Sequence, residues 1–288
     1  MFEILMPDQA HKLRELVHAS AADSAIRAPL VVVAGARMGV GATRVAIDLA
    51  TGLCRSGRRA ALVDGDFRQP CIAARCGIAG DTSIDDVLSG GRTLQEVLVQ
   101  GPAGVGVVPG TARTGEAVAV TRAAKTRLVD GLRRMANATD VVVLDVGSVA
   151  SPASVRFWRA ASLVVLVATD DAKAALDAYA AVKLAAGAGA EGLPPIAAVI
   201  CARGDRTADD EVQRRLATAC RRFLGLTVEK GPTIRTPLAT AASESNHTAH
   251  NSRVSGSIDA GTTLARFIAD HLNRTAMHSA RGSKQPAA

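Results

Sequence analysis

Leu30 to Ala50 reads LVVVAGARMGVGATRVAIDLA, and no other stretch restricts the fold of this chain as strongly. A valine-rich apolar run ends in a glycine-bearing loop, and helical spacing begins at Thr43. Strand, loop and helix in that order place backbone N–H groups at a helix N-terminus, where they cradle phosphate. Gly35, Gly39 and Gly41 allow the tight turn and the close approach of a ligand. A phosphate loop ordinarily carries lysine before its Ser/Thr, and here that position is Ala42. The shape of the loop is present and its main cation is missing.

The rest of the chain alternates apolar strands with helices. Strands are expected at 59–64, 105–108, 140–145, 162–168 and 196–201, with a last short one at Val228. Helices are expected at 43–55, 114–137, 171–186, 207–223 and 257–272, with two short ones around Gly90–Gly91 between 83 and 100. Such alternation predicts an α/β fold, a doubly wound and mostly parallel sheet with helices on both faces. In these sheets ligands sit at the carboxyl ends of the strands. Three expected strand ends bear chemistry-capable groups: Gly35 to Thr43, Asp64 to Asp66, and Asp145 to Gly147. A carboxylate there also has a plain structural use, capping the next helix. Residues 7–18, PDQAHKLRELVH, predict a short amphipathic helix with Ala10, Leu13 and Val17 on one face and Leu16 adjacent. The linker ASAADSAIRA follows it. The expected organisation is an N-terminal helix and linker (1–27), one domain (28–272) and a disordered tail (273–288).

Composition removes several classes. At 288 residues and 48% hydrophobic the chain can bury a large core, which Ala, Val and Leu must fill because aromatics are only 2%. No apolar run is long enough to span a bilayer, and the N-terminus is too polar for a signal peptide. The five cysteines form no C-x-x-C pair and no histidine cluster joins them, so reduced thiols and a cytoplasmic setting are expected. The net charge of +7 permits attraction to nucleic acid, but the arginine pairs lie scattered along expected helices without interleaved aromatics.

Taken together, these residues resemble the MinD/ParA group of P-loop ATPases. Arg37 to Thr43 align with its deviant loop K-G-G-x-G-K-[ST], LVDGDFRQP with its V-D-x-D stretch, and DVVVLDVGS with its Walker B strand. Within the group the likeness is to FlhG-type regulators of flagellar number and placement. Asp8-Gln9-Ala10-His11-Lys12-Leu13-Arg14 fits their D-Q-A-x-x-L-R motif, and the run from Ser83 and the run from Ala160 through DAYAAVKL resemble FlhG stretches. The resemblance implies ATP and Mg2+ as ligands. It implies nucleotide contacts from Gly35, Gly39, Val40, Gly41, Ala42, Thr43 and Arg44. It places Thr43, Asp64 and Asp145 at the metal, Asp66 at the attacking water, and Arg37 where the group has a lysine that reaches the partner's nucleotide across a homodimer. It implies that Asp8, Gln9, Ala10, Leu13 and Arg14 contact an FlhF-like GTPase, with the chain held at a flagellar pole or membrane through that partner.

The departures shape the expected function. Ala42 removes the charge that offsets the β- and γ-phosphates, so hydrolysis is expected to be weak or absent. Cys201 stands where the group carries asparagine for adenine, and residues 273–288 hold one large apolar side chain, Met277, too little for a membrane-targeting helix. The leading expectation is a regulator with a degenerate ATP site. The alternative is a working ATPase cycling between monomer and ATP-bound dimer, in chromosome or cargo positioning with non-specific DNA contact. The tyrosine-kinase branch is set aside because the chain has a single tyrosine, Tyr179.

Overall fold

The structure is a computed structural model, and it describes residues 28–111, 121–135, 138–148, 152–187, 192–202, 206–235 and 254–282. Its elements in chain order open with β1 (Leu30–Gly35), α1 (Ala42–Arg55), β2 (Ala60–Asp64), α2 (Ile72–Cys76), α3 (Ile84–Ser89) and β3 (Val99–Gln100). There follow β4 (Gly106–Val108), α4 (Arg122–Arg134), β5 (Val141–Ser148), α5 (Pro152–Ala160) and β6 (Leu163–Thr169). The last are α6 (Ala174–Ala186), β7 (Ile196–Ala202), α7 (Arg206–Leu224), β8 (Val228–Arg235) and α8 (Val254–Gly282).

One sheet holds all the strands in the order β3-β4-β2-β5-β1-β6-β7-β8. Every pairing is parallel except β3 on β4. The strands are covered on both faces, which is why they read as unbroken apolar runs and not as alternation. Leu30, Val32 and Ala34 face a core closed by α3 to α7. Val31 and Val33 face a second core closed by α1 and α8. The expected doubly wound parallel fold is therefore what the chain adopts.

Several details differ from the sequence reading, and two helices it did not expect, α2 and α5, also form. Between 83 and 100 a single helix forms, α3, whose start is fixed by a capping box: the Ser83 hydroxyl accepts from the Asp85 amide and the Asp86 carboxylate accepts from the Ser83 amide. Where the second helix was expected, Val99–Gln100 turns back as the antiparallel edge strand on β4. The last helix is longer than 257–272. It runs through Gly282, so the first ten residues of the expected tail are helical; no glycine or proline lies between Asn273 and Arg281, and His271 and Arg274 tie the helix to Glu229 of β8. The expected N-terminal helix, with its D-Q-A-x-x-L-R residues, lies outside the described residues.

α1 and α8 cross at two glycines. A Cβ on Gly52 would fall 2.1 Å from the Gly261 carbonyl oxygen, and one on Gly261 would fall 2.5 Å from that of Asp48. Only glycine at both positions lets the two backbones lie this close.

Candidate nucleotide site

Residues 36–41 connect β1 to α1 above the carboxyl ends of the central strands. The Ala36 amide donates to the Val167 carbonyl at 2.8 Å and anchors the loop to β6. Gly39 and Gly41 have φ of 78° and 93°, in the left-handed region that favours glycine. Gly41 caps α1, and no side chain caps the amides behind it. The first N–H groups of a helix have no intrahelical partner, so this end offers donors and the positive end of the helix dipole to an anion. The sequence-expected cradle is thus formed in backbone.

The side chains around it divide into two groups. Thr43, at the first turn of α1, faces Asp145 on β5. Asp145 is fully buried; its Oδ1 accepts from the Gly147 amide at 2.9 Å and its Oδ2 has no hydrogen-bond partner. Burial raises its pKa; the Thr43 hydroxyl and the Gly147 amide oppose the rise. A buried, unpartnered carboxylate oxygen beside a threonine hydroxyl fits a magnesium ion, which Thr43 and Asp145 would hold. When bound, that ion would neutralise phosphate charge. Asp66 lies against the same strand end: a Cβ on Gly147 would sit 2.1 Å from its Oδ2, and its Oδ1 accepts from the amides of Arg68 and Gln69 at 3.0 and 3.1 Å.

The remaining expected residues have other tasks here. Asp64 pairs with Asp145 in the sheet register, yet its Oδ2 accepts from the amides of Cys71 and Ile72 at 2.9 and 3.0 Å and so caps α2. Its carboxyl is pushed up to about 7, chiefly by burial. These bonds give the Asp64 carboxylate a structural task at the start of α2. Ala42 is buried; a Cβ on Gly35 would meet its methyl at 3.5 Å. Val40 is likewise core. Arg44 pairs with Asp48 one turn on at 3.5 Å. Arg37 reaches away from the loop. Its Nη2 donates to Asp171 Oδ2 at 2.6 Å and to Thr169 Oγ1 at 3.3 Å, and its Nε lies 3.1 Å from Asp177 Oδ2. The Asp171 carboxyl is held below the usual range by the Thr169 hydroxyl first, with Arg37 adding to it.

The sequence reading missed Asp171 and Asp177. The signal was available, since Asp170 and Asp171 end an apolar strand just as Asp64 and Asp145 do. It also missed how close Cys201 comes: its Sγ would be 3.6 Å from a Cβ on Gly41. Among the described residues no group of three or more His, Cys, Asp or Glu side chains gathers as a metal cage. No helix among them is long and apolar enough to cross a membrane.

A parallel sheet wound in this order, with a glycine loop and a Thr–Asp pair at its carboxyl end, is the fold of the MinD/ParA-type P-loop ATPases. A ParA family ATPase from Chlorobium tepidum is similar with a TM-score of 0.61 at 16% identity, covering 84% of this chain and 98% of its own. The septum site-determining protein MinD of Pyrococcus horikoshii, solved with Mg-ADP, has a TM-score of 0.60 at 15% identity, covering 86% and 96%. Sequence narrows the likeness. The antiactivator FleN of Pseudomonas aeruginosa is 33% identical over 155 residues, 54% of this chain and 55% of FleN. The flagellum site-determining protein YlxH of Helicobacter pylori is 26% identical over 186 residues, 62% of each. The resemblance to MinD/ParA-type P-loop ATPases, and within them to FlhG, is thereby borne out. The matches span little more than half of these two curated relatives, and no family model matches the chain.

Proposed function

We propose that this chain is an FlhG-like regulator of flagellar number or placement that acts by binding, with an ATP site that holds nucleotide weakly and hydrolyses it slowly or not at all. One observation carries the reading: the phosphate cradle is complete in backbone while position 42 is a buried methyl group. The ion pairs of Arg37 with Asp171 and Asp177 support the reading that its guanidinium does not replace the missing lysine. Removing one transition-state donor commonly costs on the order of 100–1000-fold in turnover. The kinship to FleN and YlxH supports flagellar control as the process, and the D-Q-A-x-x-L-R residues support an FlhF-like GTPase as the partner.

Titration with a fluorescent ATP analogue, together with phosphate release, tests the site. The expected outcome is low turnover in the parent chain and a large gain in Ala42→Lys. Equal rates in the two proteins would overturn the degenerate reading. A peptide of residues 1–20 added to the GTPase from the same genome tests the partner: stimulation is expected, and its loss in Leu13→Asp. The second reading, an ATPase that cycles through a nucleotide-bound homodimer, draws on the Thr43–Asp145 pair. It requires ATP-dependent dimerisation of the parent chain.

A further inference from the structure

Of the four large apolar side chains exposed among the described residues, three gather on one surface: Leu176 (67% exposed), Leu184 (53%) and Phe223 (66%). Leu176, Ala180 and Leu184 are spaced four residues apart and form an exposed stripe along α6. Phe223, at the end of α7, meets Tyr179 of α6 edge to face at 6.3 Å, while the Arg222 guanidinium lies over its ring at 5.4 Å. Single exposed leucines are ordinary on protein surfaces, whereas an apolar stripe continued by an aromatic pair across two helices marks a contact surface.

We propose that this surface is the resting place of the chain's own N-terminal segment, residues 7–18. Topology brings the two together. α6 and α7 each return from the carboxyl end of one strand to the start of the next, so Leu184 and Phe223 lie at the end of the sheet where the strands begin. The N-terminal segment meets β1 at that same end. Ala28, which leads into β1, is buried in the core that also holds Ala185 of α6 and Cys220 of α7, so the described chain begins on the face those helices cover. The residues from 19 to 27 reach up to about 30 Å when extended, enough to cross the neighbouring strands. The stripes also match in length: Ala10 to Val17 and Leu176 to Leu184 each rise about 10–12 Å along a helix. Docked in this way, the segment hides Leu13 and Val17, the residues it would present to a GTPase, and any partner must displace it first. The inference concerns contacts within one chain and holds whether or not the GTPase reading does.

The test uses the full chain with a photo-crosslinking phenylalanine derivative at Leu16, beside the stripe, and mass spectrometry of the products. An intramolecular link to α6 or to the end of α7 is expected, and it should disappear in Leu184→Asp and Phe223→Asp, whose exposed positions leave the fold intact by circular dichroism. Amide exchange is the second measurement. Leu13→Asp should speed exchange in α6 and the end of α7 by at least about fivefold, since local opening there no longer has to release the segment. A link elsewhere on the domain, a link between two copies, or no link together with unchanged exchange would each overturn the proposal.

Discussion

Asp64 is the residue at which the fold and the site pull hardest against each other. Its carboxyl is buried beside Asp145 and titrates near 7, so the folded chain holds a proton there that the unfolded chain has already released. Between about pH 4 and 7 the folded state therefore binds more protons than the unfolded state, and stability falls as pH rises through that window. The shift from 3.8 to about 7 sets an upper bound of roughly 4 kcal/mol. Urea denaturation in magnesium-free buffer should show the loss between pH 5 and 7.5. Asp64→Asn should reduce the slope, because its amide oxygen still accepts from Cys71 and Ile72 and carries no charge. At this scale the sequence was legible where one side chain has one use. Thr43, Asp64 and Asp145 lie together at the strand ends that the spacing marked. The bonds that Asp64 and Arg37 make to residues of other elements were not legible, because spacing within a motif does not reveal them.

Among the elements, the crossing of α1 and α8 is the tightest constraint. Helix propensity favours alanine over glycine by about 1 kcal/mol. At Gly52 or Gly261 the added methyl meets a backbone carbonyl, which cannot rotate aside, and overpacking of this kind costs about 1–3 kcal/mol or more. Gly52→Ala and Gly261→Ala are each expected to lose about 1–2 kcal/mol net, read as a lower urea midpoint with an unchanged slope. The buried strands were legible because a strand covered on both faces needs no alternation. The glycine contact was not, for it joins segments at opposite ends of the chain. α2, five residues long, was missed because its start is held by Asp64 and not by a cap of its own. The tail was misread because polar residues between 273 and 282 resemble a disordered end, although α8 is already anchored on α1 and β8 before it reaches them.

Across the whole molecule, the net charge of +7 is spread over many elements, and several of the cations are locally paired. Arg214 and Arg215 share Glu211, Arg59 pairs with Asp140, Arg235 with Asp209 and Lys230 with Asp210. Filter binding is expected to show little retention of duplex DNA, lost by about 200 mM salt, because cations scattered over separate elements meet few phosphates at once. Retention that survives this salt would favour a nucleic-acid role. The strand order also sets a timetable for synthesis. β1 lies between β5 and β6, so the valines leading into the phosphate loop have no strand neighbour until Val141 to Ser148 has been made, and only one until Thr169. At about 5–20 residues per second, a ribosome leaves that strand bare for on the order of ten seconds, longer than a β-hairpin needs to form by many decades. A nascent chain of this order is a natural client for chaperones that bind short apolar segments, and the loop takes shape late in its birth.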